Sequence, residues 1–177
     1  MKKNIIFLLV LLAGLNVYAQ GEQETQKIGF VDSQVILNQF PEAIKAQSDL
    51  DAMIANWNNI IDSMTTELQK AYSDYQKQEA TMTPTTRQQT QQEIILKEQE
   101  ITQYRQLKFG QNGEAYVKQE ELFAPIKQKI LKVIDGIRKE EGMHFVFDKA
   151  GDVILLFADP KYDLTNAVLD KLKRGKI

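Results

Sequence analysis

Three side chains toward the carboxyl end of the sequence are of types that could do chemistry. His144 is the only histidine and falls within Met143–Phe147, a predicted strand, while Asp148 and Asp152 flank the turn that follows. A histidine can act as a general base, and paired carboxylates can bind Ca²⁺, but calcium takes about six or more oxygen ligands and this turn offers too few. Aspartates are common in turns because their side chains bond nearby backbone amides. We therefore predict structural roles for all three residues.

Other catalytic and metal-binding motifs are absent from the sequence. It has no cysteine, no Gly-rich phosphate loop, no pair of histidines at metal-ligand spacing and no Gly-x-Ser-x-Gly elbow. The remaining carboxylates are mixed with lysines along predicted helices, which is the pattern of ordinary solvated helix faces. We therefore expect a protein that is not an enzyme, with no catalytic residue, no metal site and no cofactor.

The longest regular pattern in the chain predicts one strand of a coiled coil. Apolar residues recur at alternating steps of four and three, at Leu50, Ile54, Trp57, Ile61, Met64, Leu68, Ala71 and Tyr75. Such steps average 3.5 residues and keep one narrow stripe on a supercoiled helix, whereas a strand would place apolar residues at every second position. A stripe of this kind needs a partner helix.

The partner is predicted to be the next segment, which makes residues 42–141 a helical hairpin. Thr83 can cap a second helix whose first residue is Pro84, so the tip is expected at about residues 81–86. Each arm of about 40 residues would be about 60 Å long at 1.5 Å per residue, too long for a compact globule. The sequence therefore predicts a mostly helical α+β protein in which a long limb projects from a small body.

The second arm is less regular than the first and changes register at two glycines. Ile94, Ile101 and Tyr104 form one stripe, and Gly110 and Gly113 follow it. The stripe beyond the glycines has a shifted register and contains Tyr116, Phe123, Ile126, Ile130, Val133 and Ile137. Each glycine costs a helix about 1 kcal/mol relative to alanine, so we predict a hinge at this pair. The alternatives are close packing of the opposite arm against a glycine, or tolerance at a solvent-facing site.

The first part of the body is predicted to lie in residues 20–41. Ile28–Asp32 reads as a short strand, with Ile28 and Phe30 on one face. Asp32 or Ser33 can then cap a short helix, and Pro41 ends that helix before the first arm begins. This part of the body is therefore predicted to be one strand followed by one short helix.

The second part of the body is predicted to lie in residues 142–177. Met143–Phe147 and Val153–Phe157 are rich in aromatic and branched residues, and the glycine-containing segment between them predicts a hairpin. A final helix is predicted to begin near Thr165. Together with the first part, this predicts a small sheet of three strands.

The predicted sheet has more apolar surface than one chain can cover. Val153–Phe157 is apolar on both faces, which indicates a helix on one side and a second subunit or the far wall of a barrel on the other. We therefore predict that subunit contacts are made by apolar strand residues, namely Ile28, Phe30, Phe145, Phe147, Val153, Leu155 and Phe157.

Residues 1–19 are predicted to be an export signal. Lys2 and Lys3 precede Ile5–Leu15, which is almost continuously apolar. Val17 and Ala19 are small or modest residues three and one before the expected cleavage after Ala19. A membrane anchor is the alternative, but a span needs about 20 apolar residues and this run has about 11. No cysteine is present for lipid attachment or for a disulfide. We expect a soluble mature chain.

The charge of the chain argues against a nucleic-acid partner. The full sequence carries a net charge of −2, and removal of Lys2 and Lys3 with the signal leaves 20 basic against 24 acidic residues, or −4. Surfaces that bind phosphates usually show a basic excess with interleaved aromatics. We therefore predict that the chain binds no nucleic acid.

The order of these elements resembles the Skp/OmpH family of periplasmic chaperones. The resemblance is carried by the export signal, by Ile28–Asp32, by the long charged hairpin, by Phe145–Asp148 and by the closing segment Asp163–Leu169. It implies a homotrimer in which strands of three subunits form a barrel, and in which the hairpins hold unfolded outer-membrane β-barrel proteins in the periplasm without ATP. Well-known members are strongly basic along the hairpins, whereas this chain has a pI near 5.5. The resemblance also implies contact with lipopolysaccharide or a membrane, but the acidic charge of this chain argues against a role for positive charge in binding clients or lipopolysaccharide.

A structural spacer or adaptor of the cell envelope would explain the heptads equally well. A chaperone is favoured by the methionines and amphipathic aromatics of the limb, because such side chains suit a surface that accepts many partners. The apolar stripe from Leu50 to Tyr75 is called the seam. Packing of the two arms against each other accounts for seam residues such as Trp57 and Met64. We therefore predict that clients contact residues off the seam, namely Met53, Ile60 and Tyr72.

Overall fold

The computed structural model describes residues 26–152 and 154–175. The predicted signal peptide, its cleavage site after Ala19, and Val153 lie outside these ranges. The described chain is mostly helical, as predicted, with five α-helices and two short strands. In chain order they are β1 (Ile28–Val31), α1 (Ser33–Gln39), α2 (Pro41–Gln78), α3 (Pro84–Phe109), α4 (Glu114–Glu140), β2 (Phe145–Asp148) and α5 (Thr165–Arg174).

The limb is a helical hairpin whose ends are set by local sequence. Helix α2 has Pro41 at its first position and ends in a short 3₁₀ turn, Glu79–Thr81. Thr83 caps α3 by accepting a hydrogen bond from the Thr86 amide, and Pro84 is the first residue of α3. Proline suits this place because its missing N–H would have no partner in the first turn. The chain therefore reverses between the end of α2 at Gln78 and the start of α3 at Pro84.

The second arm is two helices and not one bent helix. Helix α3 ends at Phe109 and α4 begins at Glu114, so the two predicted weak residues, Gly110 and Gly113, bound a complete break. Asn112 between them has φ 57°, a left-handed conformation that interrupts the helical hydrogen-bond series. The predicted stripe is also wrong at Tyr116, which is exposed.

The hydrophobic core lies where the limb joins the body and is mostly helical. Its largest fully buried side chains are Ile36, Phe40 and Val168. Steps of four, three and four along α4 bring one apolar stripe against them, as expected for an amphipathic helix. The other members of the core are Val31, Ala43, Ala46, Ile126, Ile130, Val133, Ile137, Met143, Leu164, Leu169 and Leu172. Helices α1, α2, α4 and α5 thus form the structural base of the limb.

The sheet has two parallel strands and covers one side of this core. Strand β1 pairs with β2 in a register that places Ile28 beside Phe145 and Phe30 beside Phe147. On its other side β1 meets the start of α5, because the Leu164 N–H donates to the Phe30 carbonyl at 2.8 Å. The first strand of the sequence is therefore central, and β2 is at the edge of the described sheet.

The predicted hairpin between Met143–Phe147 and Val153–Phe157 is wrong for the described residues. Strand β2 pairs with β1, and residues 154–159 have no regular structure. The Lys149 N–H donates to the Val31 carbonyl at 2.7 Å, so the β1–β2 ladder continues into the turn and the chain does not fold back on β2. A strand needs a hydrogen-bonding neighbour, and the described chain offers none to this apolar segment.

The last helix begins at Thr165, where it was predicted. Asp163 accepts the Thr165 N–H through its side chain, and the Thr165 hydroxyl in turn accepts the Asp32 N–H at 2.9 Å. Asp32 also caps α1 by accepting the Val35 amide. These bonds join the starts of α1 and α5 beside β1 and explain why Thr165 is buried although it is polar.

None of the helices in residues 26–152 and 154–175 has a stretch that is both long enough and apolar enough to span a bilayer. The structure is of one chain, so the predicted trimer stays a prediction at this point.

Candidate functional surfaces

The residues that could do chemistry make hydrogen bonds that support the fold. His144 Nδ1 accepts the Lys27 N–H at 3.2 Å, and the His144 N–H donates to the Lys27 carbonyl at 2.8 Å. Asp148 Oδ1 accepts the amides of Ser33 and Ala150, and Asp152 is exposed. Within the described residues, no group of three or more His, Asp or Glu side chains is placed to hold a metal ion. These contacts explain why a histidine occurs at position 144 and an aspartate at position 148.

The pKa of Asp148 reflects its place at the junction of β2 and α1. Partial burial alone would raise the pKa of this carboxyl, but hydrogen bonds from Ser33 and from the Ala150 amide outweigh it and lower the pKa below its ordinary value. Asp148 is therefore ionised at neutral pH and links the end of β2 to the first turn of α1.

One face of the sheet carries the predicted subunit contacts and points away from the core. Side chains alternate across a strand, so Val31 and Val146 face the core while the alternate residues face outward. Gly29 is on the core side, where a Cβ would lie 3.0 Å from the Leu164 side chain. The outward residues are Ile28, Phe30, Phe145 and Phe147, and all but Phe30 are exposed. Exposed apolar faces of this kind are typical of surfaces that bind another molecule.

The unpaired segment after β2 extends the same apolar surface. Phe157 is 96% exposed, and Ile154 and Leu156 are also largely exposed. Leu155 is half-buried and, with Phe157, lines an open groove of about 420 Å³ against β1 and β2. The structure thus brings every described member of the predicted interface to one side of the body.

The limb has an apolar seam on α2 that faces a half-polar seam on α3. All eight predicted seam residues of α2, from Leu50 to Tyr75, are buried or half-buried. The inward positions of α3 also follow steps of three and four. The seven inward residues are Arg87, Thr90, Ile94, Lys97, Ile101, Tyr104 and Lys108, and only three of them are apolar or aromatic. The seam of α2 therefore lacks a fully apolar partner.

The three predicted client contacts do not share one face of α2. Ile60 precedes the seam residue Ile61, as Met53 precedes Ile54, whereas Tyr72 follows the seam residue Ala71. Ile60 and Tyr72 are exposed and Met53 is half-buried. Twelve residues separate Ile60 from Tyr72, or about 120° around a helix of 3.6 residues per turn. Met53 and Ile60 are thus on one flank of the hairpin and Tyr72 is on the other.

On the flank of the hairpin that carries Tyr72, polar side chains of α2 and α3 contact each other. The Tyr72 hydroxyl donates to Glu98 at 2.6 Å, and this hydrogen bond is the main reason that the pKa of Tyr72 is raised. Glu98 follows the seam residue Lys97 on α3, just as Tyr72 follows its own seam residue. Residues that precede a seam residue therefore lie on the opposite flank, and Leu107 on α3 belongs there with Ile60.

Sequence reasoning missed several apolar residues on the outside of α3 and α4. Large apolar side chains outside the core are exposed there, at Ile95, Leu96, Leu107, Phe109, Tyr116 and Val117. The signal was present in the sequence, because the half-polar stripe of α3 can be recognised by its steps of three and four once polar residues are allowed in it. These side chains add to the apolar surface spread along the limb.

The two glycines at the break are required by the backbone of the break itself. A Cβ on Gly110 would lie 2.4 Å from the Gln106 carbonyl oxygen, and one on Gly113 would lie 2.9 Å from the Lys108 carbonyl oxygen. The atoms nearest to both Cβ positions belong to the break and the end of α3, not to the opposite arm.

Comparisons with known proteins place the chain among characterised folds. The sequence model of one family, described as "Outer membrane protein (OmpH-like)", matches residues 27–172. No curated protein matches the chain. Among solved structures, the chain is similar to a candidate outer membrane chaperone (OmpH-like) from Caulobacter crescentus CB15, with a TM-score of 0.72 and 16% identity over 90% of this chain and 92% of that chain. This likeness supports the fold described above.

Proposed function

The chain belongs to the OmpH-like family of outer membrane proteins, and from that premise we propose that it is an ATP-independent holdase chaperone of the periplasm. Its clients are unfolded outer-membrane β-barrel proteins, which it keeps from aggregating on their way to the outer membrane. Such clients expose alternating apolar residues along their whole length. A holder therefore needs many weak contacts spread over a surface and not one deep pocket.

The observation that carries this proposal is the distribution of exposed apolar side chains along the limb. Ile60 on α2, Leu96 and Leu107 on α3, and Tyr116 and Val117 on α4 are all exposed. They lie along the outside of both arms and not in one cluster. A spacer needs only a stable seam between its arms, whereas this limb leaves apolar surface open at many places.

Assembly into a homotrimer completes the proposed chaperone. The outward face of the sheet and the apolar segment that ends at Phe157 would pack between subunits, through heterologous contacts that close into a ring of three. Three limbs would then project from one body and surround a client. Export by the predicted signal and cleavage after Ala19 would place this assembly in the periplasm.

Charge is proposed to have a secondary role in client binding. Residues 51–125, the part of the limb beyond the body, contain seven Lys and Arg against eleven Asp and Glu. Contact with lipopolysaccharide or an anionic membrane would gain little from such a limb. We expect client affinity to hold or rise with salt, because apolar contacts are not screened. A tenfold loss of affinity on the order of 0.5 M salt, where exposed charges are nearly fully screened, would reject this account.

Suppression of aggregation tests the proposed function directly. An unfolded outer-membrane β-barrel protein is diluted from urea into buffer with or without the purified protein, and light scattering is followed. A holdase suppresses the scattering at one trimer per client without ATP, whereas an envelope spacer or adaptor leaves it unchanged. A denatured water-soluble globular protein of similar length, which lacks alternating apolar strands, serves as the control client.

A further inference from the structure

The break between α3 and α4 is a place where the limb is held by very few backbone bonds. The Gly110 N–H donates to the Gln106 carbonyl at 2.9 Å and the Gly113 N–H donates to the Gly110 carbonyl at 2.8 Å. Asn112 has a left-handed backbone, and Gly113 offers no side chain to cap α4. Backbone hydrogen bonds alone therefore do not fix the angle between the two helices.

One side chain spans this break and touches all three limb helices. Lys108 Nζ, in the last turn of α3, forms an ion pair of 2.6 Å with Glu114, the first residue of α4. The same ammonium lies 5.2 Å from the ring centroid of Trp57 on α2 and 5.4 Å from that of Tyr104 on α3. Trp57 also packs edge-on against Phe109, with ring centroids 6.0 Å apart. A single cation is thus bound by groups from α2, α3 and α4.

This lysine is shielded from solvent, unlike the other lysines paired along the limb. Its side chain is 13% exposed, whereas those of Lys97 and Lys118 are 42% and 41% exposed. Ion pairs between exposed side chains contribute little because water and salt screen them. A shielded ammonium over an aromatic ring is screened less and gains from the ring quadrupole. The contacts of Lys108 are therefore the strongest polar restraint described at this break.

We propose that Lys108, Glu114 and Trp57 form a latch that holds α3 and α4 at a fixed angle, and that its release lets the limb bend at Gly110–Gly113. When the latch is formed, the hinge that was predicted from the two glycines is in its closed state. Release exposes the Trp57 ring, because Lys108 and Phe109 cover it in the closed state. The latch is a property of the chain alone, while its use in fitting clients of different size rests on the proposed function.

The only tryptophan of the sequence lies in the latch, which makes its state measurable without a label. Lys108→Met keeps the length of the side chain and removes its charge, and Glu114→Gln removes the other charge. Lys118→Met and Glu121→Gln are matched controls, because they remove an exposed ion pair of 2.6 Å from α4 itself. All variants are measured as purified protein without client, by acrylamide quenching of Trp57 and by hydrogen exchange of the amides in residues 104–117.

The latch predicts that Lys108→Met raises the quenching constant of Trp57 about twofold and speeds exchange beside the break about tenfold, which corresponds to about 1.4 kcal/mol. Glu114→Gln should act in the same direction but less, and both control variants should match the parent protein. If Lys108→Met fails to fold, Glu114→Gln alone decides. Parental quenching and exchange in the latch variants, or an equal change in the control variants, would overturn the proposal.

A second measurement separates the latch from the proposed function. Small-angle scattering of the client-free protein should show a wider spread of limb dimensions for Lys108→Met than for Lys118→Met. If the spread widens and aggregation suppression is absent in every variant, the latch stands and the chaperone proposal fails. If suppression is normal and the spread is unchanged, the chaperone stands and the latch fails.

Discussion

The body and the limb of this protein are stabilised in different ways. In the body, one connected core joins β1 and four helices, and side chains such as Ile36 and Val168 are completely buried. In residues 51–125, the part of the limb beyond the body, the only buried large side chains are Trp57 and Ile61 on α2 and Ile94 and Ile101 on α3. The body is therefore specified by dense packing, and the limb by a thin seam that leaves its surroundings free to contact other molecules.

The two helices of the hairpin repeat this contrast on a smaller scale. Helix α2 has an apolar seam from Leu50 to Tyr75. Four of the seven inward residues of α3 are polar, namely Arg87, Thr90, Lys97 and Lys108. A polar seam residue weakens a coiled coil but can fix its register. The four polar residues in the seam of α3 therefore make this hairpin less stable than one with a fully apolar seam would be.

The largest expected effect is loss of assembly when charge is placed on the exposed face of the body. Leu155→Asp and Phe157→Asp put a carboxylate where the trimer is proposed to pack, and burying an unpaired charge is strongly unfavourable. We expect the mass in solution at micromolar concentration to fall from three chains to one. The helical circular dichroism of the body should remain, because neither residue belongs to the core.

Leu131→Asp is the matched control for these variants. Leu131 is an exposed leucine on α4, outside the proposed interface, so its replacement should leave the trimer intact. A folded trimer for Leu155→Asp and Phe157→Asp would show that subunits do not meet at this face.

Alanine substitution of one isoleucine in each region should measure the difference in packing. Ile36 is fully buried in the body and Ile94 is buried in the limb seam. We expect Ile36→Ala to lower the free energy of unfolding by about 4 kcal/mol and Ile94→Ala by about 2 kcal/mol, because fewer atoms line the cavity left in the limb. Urea unfolding at one fixed protein concentration gives both values. Equal losses would contradict the contrast between a dense body and a thin seam.

Client affinity should depend on the two flanks of the limb to different degrees. We expect each of Met53→Ala, Ile60→Ala and Tyr72→Ala to weaken binding of an unfolded outer-membrane protein by less than about threefold, and the triple variant by about tenfold, or about 1.4 kcal/mol. Because Tyr72 is already bonded to Glu98, the triple alanine variant of Met53, Ile60 and Leu107 should lose more client affinity than the triple variant that contains Tyr72→Ala. Fluorescence titration of labelled client measures each affinity.

The outcome for the two triple variants decides where clients bind. Parental affinity in both, with the trimer intact, would place the client surface elsewhere on the limb. A larger loss in the variant that contains Tyr72→Ala would reverse the assignment of the flanks.

The smallest expected effect concerns the carboxylate that joins β2 to α1. Asp148→Asn keeps the shape but weakens the bonds from Ser33 and Ala150, for a loss of about 1 kcal/mol at pH 7. Because the folded-state pKa of Asp148 is lowered, its contribution is complete above about pH 5 and is lost as the pH falls through the folded value. Thermal unfolding of the parent protein and of Asp148→Asn should show that the difference between their unfolding temperatures shrinks as the pH falls from 7 to 3. Asp152→Asn, at an exposed position of the same turn, is the control and should unfold at the same temperature as the parent protein at pH 7.

Local signals allowed most of the helical fold to be predicted from the sequence. The heptad steps of α2, the cap at Thr83 with Pro84 behind it, and the cap at Asp32 depend on residues within a few positions of one another, and each is confirmed. Such signals can be recognised with little knowledge of the rest of the fold, apart from the partner helix that the stripe of α2 needs.

The errors concern features that depend on distant parts of the chain. Parallel pairing of β1 with β2 joins residues more than one hundred positions apart, and nothing in Met143–Phe147 distinguishes it from a hairpin with the next apolar segment. The latch was missed for the same reason, because the position of Lys108 matters only when Trp57 and Glu114 are known to be beside it. The two glycines indicated a weak point, but the full break also needs the left-handed Asn112.

Native mass measurement of the purified protein, with and without an unfolded outer-membrane β-barrel protein, tests the central claim most directly. We expect a species of three chains that gains the mass of one client on mixing and releases no nucleotide, metal or other cofactor when it is denatured. A trimer whose mass is unchanged by excess client, or a single chain that binds clients equally well, would contradict the account of limbs that enclose a client between them.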